Sequence, residues 1–245
     1  MSTIGGPRLS YVTDGLVFYV DAANPNSYVS GDTTTSSLVS DDVGVLVNDT
    51  GFSTENNGGW VLDGTDDFIY FGDTDLANPK LSSFTVNCFF KISNISNTTT
   101  NVIISKGNTG SGDVGWIIYY SHTYTSLNVR CNGNNTTSQR ASQSISINED
   151  TIYMVTLVID RENNVILGYL NGSNDNWNNG GGGPADNDIT GFDSIISPGL
   201  LKVGATSNNI LDMKGNFYLS QIYNRALSSD EVLRNHNALK GRFGL

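Results

Sequence analysis

Trp60-Val61-Leu62-Asp63-Gly64-Thr65-Asp66-Asp67-Phe68-Ile69-Tyr70-Phe71 is the stretch whose reading decides the fold of this 245-residue chain. An apolar run stops at Asp63, a cluster of Gly, Thr and Asp reverses the chain, and a run of aromatic and β-branched residues begins at Phe68. That is the pattern of strand, tight turn and strand, so a β-hairpin is expected here. An isolated two-stranded hairpin is marginal in water, and the remaining chain must supply sheets for these arms to join.

Composition points the same way. Charged residues are only 15% of the chain and there are 27 glycines. Polarity therefore comes from the Asn, Ser, Thr and Gly of turns rather than from the Lys and Glu of helix surfaces. Strands are expected at Gly15–Asp21, Val43–Val47, Phe84–Ile92, Asn101–Ser105, Gly115–Tyr120, Ser126–Cys131, Ser144–Ile147, Leu200–Val203 and Asn216–Tyr223. Tyr153–Asp160 and Val165–Leu170, joined by Arg161-Glu162-Asn163-Asn164, read as a hairpin. Such spacing belongs to a sandwich or barrel. One helix is written at about residues 228–240, with Ser228 and Glu231 as a capping box, Val232, Leu233 and Leu239 as apolar anchors and Gly241 as a stop. Residues 1–10 read as an N-terminal arm and 11–245 as a single domain; Gly31–Asp42 is polar without a period, and Asn174–Asp188 is expected to be a mobile loop without a core.

Several motifs carry a family resemblance. Val61-Leu62-Asp63-Gly64-Thr65-Asp66-Asp67-Phe68-Ile69, Phe84-Thr85-Val86 with Phe89-Phe90-Lys91, and Ile222-Tyr223-Asn224-Arg225-Ala226-Leu227-Ser228 followed by Glu231 resemble signatures of laminin-G-like, concanavalin-A-like jelly-roll domains. Gly15-Leu16-Val17 to Asp21-Ala22, Asn24-Pro25 with Ser27-Tyr28, and the ending Asn237-Ala238 to Arg242-Phe243-Gly244 resemble phage-encoded members of that group. The stretch Ser36–Ser40 departs from the family's pattern. The resemblance implies an all-β fold: a two-sheet antiparallel concanavalin A-like jelly-roll sandwich with one short C-terminal helix. It also implies a non-enzymatic structural protein of a tailed-phage virion, on capsid or tail, using the jelly roll for protein or glycan adhesion. The implied partners are other virion proteins and a host surface glycan, with homo-oligomerisation, and the implied place is the virion surface after assembly in the host cytoplasm. The alternative it leaves open is a free calcium-dependent lectin.

The formal net charge of −11 opposes nucleic acid and anionic membranes as partners. No apolar run reaches membrane-spanning length, and no signal peptide is legible. Glycan hydrolysis by the family's enzymes needs paired carboxylates, but the four glutamates, Glu55, Glu149, Glu162 and Glu231, show no such spacing. His122 and His236 accompany no nucleophile elbow or zinc cluster, and surface roles are expected for both. Cys88 and Cys131 read as buried reduced thiols, with a disulfide between neighbouring strands as the alternative. Asn-x-Ser/Thr sites at residues 48, 94, 97, 134, 135 and 171 are expected by chance in so polar a chain.

Two site candidates remain. Asp63, Asp66 and Asp67 offer hard oxygen ligands to Ca2+ at the rim, against the plainer reading that short carboxylates build the turn; Asp21 has the same standing. Trp177, flanked by Asn176 and Asn178, offers a ring for stacking on a sugar, against tucking back onto the sheet. Trp116, Tyr119 and Tyr120 are assigned to the core by default.

Overall fold

In the computed structural model the described residues are 10–93, 95, 100–107, 113–133, 140–179, 187–209 and 212–245. They form sixteen strands in chain order: β1 (Leu16–Asp21), β2 (Thr34–Ser36), β3 (Val43–Val47), β4 (Gly51–Ser53), β5 (Gly59–Asp63), β6 (Phe68–Tyr70), β7 (Phe84–Ile92), β8 (Asn101–Lys106), β9 (Gly115–Ser121), β10 (Ser126–Asn132), β11 (Arg140–Ile145), β12 (Ile152–Asp160), β13 (Val165–Leu170), β14 (Asn178–Asn179), β15 (Leu201–Val203) and β16 (Lys214–Tyr223). The helix α1 (Ser229–Leu239) follows. Two antiparallel sheets face each other. The seven-stranded sheet runs β13-β12-β7-β16-β5-β4, with β1 also on β16, and the nine-stranded sheet runs β14-β11-β10-β9-β8-β15-β6-β3-β2. The two-sheet sandwich with a C-terminal helix expected from the sequence is therefore present.

The opening stretch is not a hairpin. β5 pairs with β16 and β4 in one sheet, whereas β6 pairs with β3 and β15 in the other. The turn at Gly64–Asp67 carries the chain across the sandwich instead of reversing it within a sheet. Trp60 and Leu62 enter the core from one side and Ile69 and Phe71 from the other. Alternating apolar arms about a polar turn satisfy either geometry, because each needs only one buried face per arm. Tyr153–Asp160 and Val165–Leu170 do form the expected hairpin, with Asp160 opposite Val165.

The core between the sheets holds Phe18, Trp60, Phe84, Phe90, Trp116, Leu157 and Phe217 among others. Trp116 and Tyr120 belong to it, while Tyr119 has the opposite parity and faces outward, half-buried. Cys88 and Cys131 are both buried and belong to this core, on opposite sheets, and no disulfide joins them. Burial pushes the Cys88 thiol up, which keeps it protonated and inert.

A second apolar cluster covers the other face of the seven-stranded sheet, where Phe89, Met154, Tyr218 and Tyr223 meet Val12, Val232 and Phe243. α1 supplies the lid. Ser228 caps it through the Glu231 N–H while the Glu231 carboxylate accepts from the Ser228 N–H, the capping box read from the sequence. The same carboxylate takes both guanidinium nitrogens of Arg225, at 2.6 and 2.9 Å. Thr85 joins this turn to β7, donating to the Arg225 carbonyl and accepting from the Leu227 N–H. Three details differ from expectation. Leu233 is 45% exposed rather than an anchor. Gly241 does not stop the helical path, which continues in a 3-10 turn over Lys240–Phe243 and is capped by Gly244, φ +70°. His236 is buried rather than on the surface, its ring parallel to that of Phe89 at 6.4 Å.

Of the expected arm, residues 1–9 lie outside the described residues. Ser10 accepts from Arg234, and the Val12 N–H donates to Asn235 Oδ1 at 2.7 Å. In the segment Asn174–Asp188, residues 180–186 also lie outside the described residues. Trp177 nonetheless packs on the core and β14 extends the nine-stranded sheet, so the coreless reading fails for its first half. β2 lies within the stretch Gly31–Asp42 that shows no period, and the strand expected at Ser144–Ile147 ends at Ile145.

Candidate functional site

The tertiary structure brings the three aspartates of the cross-over turn together: one oxygen from each of Asp63, Asp66 and Asp67 lies within 4.8 Å of the others. Two of these groups already serve the backbone. Asp67 Oδ2 accepts from the Asp63 N–H at 3.1 Å and Asp63 Oδ1 from the Thr65 N–H at 2.7 Å. The turn is further tied to its neighbour by Asn48, whose Nδ2 donates to the Asp66 carbonyl at 2.6 Å. Asp67 is buried, and desolvation pushes its carboxyl up against the pull of the Asp63 N–H. These bonds account for Asp63 and Asp67 as builders of the turn, and convergence of acids by itself assigns no ion. Asp21 is accounted for separately: it accepts from Arg242 Nη1 at 2.6 Å and from the Ala23 N–H at 2.9 Å.

Sequence reading missed a fourth acid here. Asp212, just before β16, is pushed up to about 6, first by desolvation and then by the negative charge of Asp66 and, less strongly, Asp63. Its Oδ1 is buried and has no hydrogen-bond partner among the described residues. Nothing local marks it, because Asp212 is nearly 150 residues from the turn it approaches.

Trp177 does not present its ring for stacking. It lies on Gly168 of β13, so closely that a β-carbon built at Gly168 would come within 2.6 Å of the indole. The edge of β13 is closed around it: Gln143 Oε1 of the opposite sheet accepts from the Gly168 N–H at 2.7 Å, and Asn174 donates to the Gly168 carbonyl. Trp177 thus seals the seam between the two sheets. Asn176, at φ +63°, turns the chain into it, and Asn178 opens β14 opposite Ser144.

A polar row on the nine-stranded sheet, whose β10 members are all buried (Asn128 is 1% exposed), is the better candidate. Leu127, Val129 and Cys131 of β10 face the core, so Ser126, Asn128, Arg130 and Asn132 face away from it. Asn128 stands opposite Tyr119 of β9 and Ser144 of β11. The Arg130 guanidinium lies over the Tyr119 ring at 5.3 Å, a cross-strand diagonal pair. Asn128 donates to the Ser126 carbonyl at 2.7 Å and Asn132 to the Asp113 carbonyl at 2.8 Å. The Oδ1 atoms of both asparagines are buried without a partner among the described residues. The period-two alternation of polar and apolar residues over 126–132 was the signal available in the sequence.

A sequence model of the concanavalin A-like lectin/glucanases superfamily, laminin-G type, matches residues 63–233. The chain belongs to that superfamily. No curated protein matches it by sequence. Among solved structures, a fold of this shape recurs in Trypanosoma rangeli sialidase in complex with the inhibitor DANA, at TM-score 0.64 and 14% identity over 93% of this chain and 33% of that one. It recurs in the botulinum neurotoxin serotype D binding domain, at TM-score 0.67 and 11% identity over 91% of this chain and 50% of that one. This chain therefore spans about a third of the sialidase and half of the toxin domain, and at such identity the likeness is one of fold alone.

Proposed function

We propose that this domain is a non-catalytic adhesion module on the outer surface of a tailed-phage virion, holding a host glycan on the polar face of its nine-stranded sheet. The observation that carries the glycan reading is the pair of buried side-chain carbonyls of Asn128 and Asn132, without partners among the described residues, beside the Tyr119–Arg130 stack. Buried polar atoms ordinarily have partners, and a hydroxyl-rich ligand supplies donors to both while an aromatic face takes the sugar ring. The superfamily's lectin-type fold is consistent with that role. The phage reading rests on the resemblance of the first strand, the Asn24–Tyr28 loop and the chain ending to phage-encoded members.

The non-catalytic reading is supported by where the glutamates lie. Glu55 is in a 3-10 turn before β5, Glu149 precedes β12, Glu162 is in the β12–β13 turn, and Glu231 is held by Arg225 and the Ser228 N–H. Retaining and inverting hydrolysis both need two carboxyl groups flanking one bond. The acidic surface favours neither nucleic acid nor an anionic bilayer, and among the described residues no helix is long and apolar enough to cross a membrane. The domain is taken to self-associate, as repeated virion surfaces require, with a trimer expected; a monomeric mass at micromolar concentration would count against this.

The test is adsorption of the phage that encodes the chain to its host, with excess purified protein present and antibody labelling of particles in the same preparation. Blocked adsorption with labelled particles is expected, with the block weakened by Asn128→Ala and Tyr119→Ala. Labelled particles with unchanged adsorption would reduce the role to reinforcement of the particle. Absence from particles would sink the virion reading.

A further inference from the structure

Lys202 is the middle residue of β15, and with Leu201 and Val203 turned to the core its side chain leaves the opposite face. It is nevertheless only 2% exposed. Its Nζ lies 4.8 Å from the centre of the Phe68 ring, donates to the Ser207 carbonyl at 2.9 Å and rests on the side-chain amide of Asn209 through Oδ1. Asn209 is held at φ +56° with its N–H on the Thr206 carbonyl at 3.0 Å, a conformation that turns its amide onto the lysine. Lys106, the other fully buried lysine, is different: it meets the carboxylate of Asp73 at 2.6 Å. No carboxylate is within ion-pair distance of Lys202 among the described residues. Asp212 follows in the same loop, its negative charge acting on Lys202 and its Oδ1 buried without a hydrogen-bond partner among the described residues.

We propose that Lys202 and Asn209 close an intramolecular isopeptide bond, with Asp212 relaying the proton. The Nζ lone pair adds to Cγ of Asn209, the Cγ–Nδ2 bond breaks, one amine proton passes through the Asp212 carboxyl to Nδ2, and ammonia leaves. Nothing is oxidised or reduced and no co-reactant enters. The environment suits each participant. Burial lowers the Lys202 ammonium, favouring the neutral nucleophile, and Asp212 is raised into the range where a carboxyl both gives and takes a proton near neutrality. The product is a secondary amide that staples the loop after β15 to the sheet, beside the acidic turn.

Peptide mass spectrometry on the purified full-length protein, unfolded and digested with trypsin, decides the matter without any variant. The expected result is no cleavage after Lys202 and a peptide spanning residues 162–214 that is lighter than its sequence by one ammonia, about 17 Da. Asn209→Ala is expected to restore full mass and cleavage, and Asp212→Ala to raise the unlinked fraction severalfold. Cleavage after Lys202 with full mass overturns the proposal. So does a 17 Da loss that mild base reverses while Lys202 is still cleaved, which would be a succinimide at an asparagine rather than a cross-link.

Discussion

Arg242 and Asp21 are 221 residues apart in sequence and joined in the fold by an Nη1–Oδ1 bond of 2.6 Å, each side chain 13% exposed. The same guanidinium donates to the Asn56 carbonyl at 2.7 Å and to the Gly58 carbonyl, and lies over the Phe243 ring at 4.9 Å. One side chain thus fastens the chain's last turn to the end of β1 and to the loop before β5. Removing either partner leaves the other charge buried. Arg242→Ala or Asp21→Ala is expected to cost about 3 kcal/mol, lowering Tm by about 6–12 °C in a thermal melt of this size of domain.

Glu231 sets the acid limb of stability. Its carboxyl is held down to about 2, chiefly by the Arg225 hydrogen bond, although burial opposes this. A group whose folded value lies below its unfolded value stabilises the fold above the unfolded value, here the usual carboxylate range near 4.5, and that stability is lost as pH falls toward 2. Because the pair is about 30% exposed on each side, the contribution is discounted to about 1–2 kcal/mol. Glu231→Gln is expected to remove it at neutral pH and flatten the decline between pH 4.5 and 2, as read by urea unfolding across pH.

His236 acts higher on the pH scale and with a different cause. Both ring nitrogens are buried without partners among the described residues, and burial, then the positive charge of Lys240, lowers its proton affinity. The unfolded state binds the proton more readily, so stability is full above the unfolded value of 6.5 and declines as pH falls below it. His236→Phe should abolish that part of the decline, measured as hydrogen-exchange protection of α1 between pH 7 and 5.

Trp177 is expected to matter for stability rather than for a sugar. Trp177→Ala should cost about 3 kcal/mol through the lost packing on Gly168, and glycan adhesion per folded molecule should be unchanged. Gly168→Ala should displace the ring and destabilise the seam as well. Loss of adhesion with an unaltered Tm in Trp177→Ala would restore the stacking role.

Because two of the three aspartates at the cross-over turn are engaged by backbone N–H groups, excess calcium is expected to leave Tm within about 1 °C. A rise of several degrees, reversed by a chelator, would make Asp63, Asp66 and Asp67 metal ligands and favour the free calcium-dependent lectin.

What the sequence determined by itself was every feature written in neighbouring residues. The period-two runs marked the long strands β7, β12, β13 and β16, Asn163-Asn164 marked a hairpin, and Ser228 with Glu231 marked the start of α1, because pleat, turn and cap each depend on residues within a few positions. What only the tertiary structure decided was which surface each signal serves. Trp60–Phe71 reads identically as a hairpin or as a bridge between sheets, and it becomes a bridge because β16 and β15, some 140 residues later, claim its two arms. Trp177 becomes a seal because Gly168 leaves room for it, His236 is buried because Phe89 lies beneath it, and Lys202 meets Asn209 and Asp212 only where a loop folds back over β15. The physical reason is common to all four: burial and partner choice depend on elements far off in the chain, whose arrival no local pattern encodes.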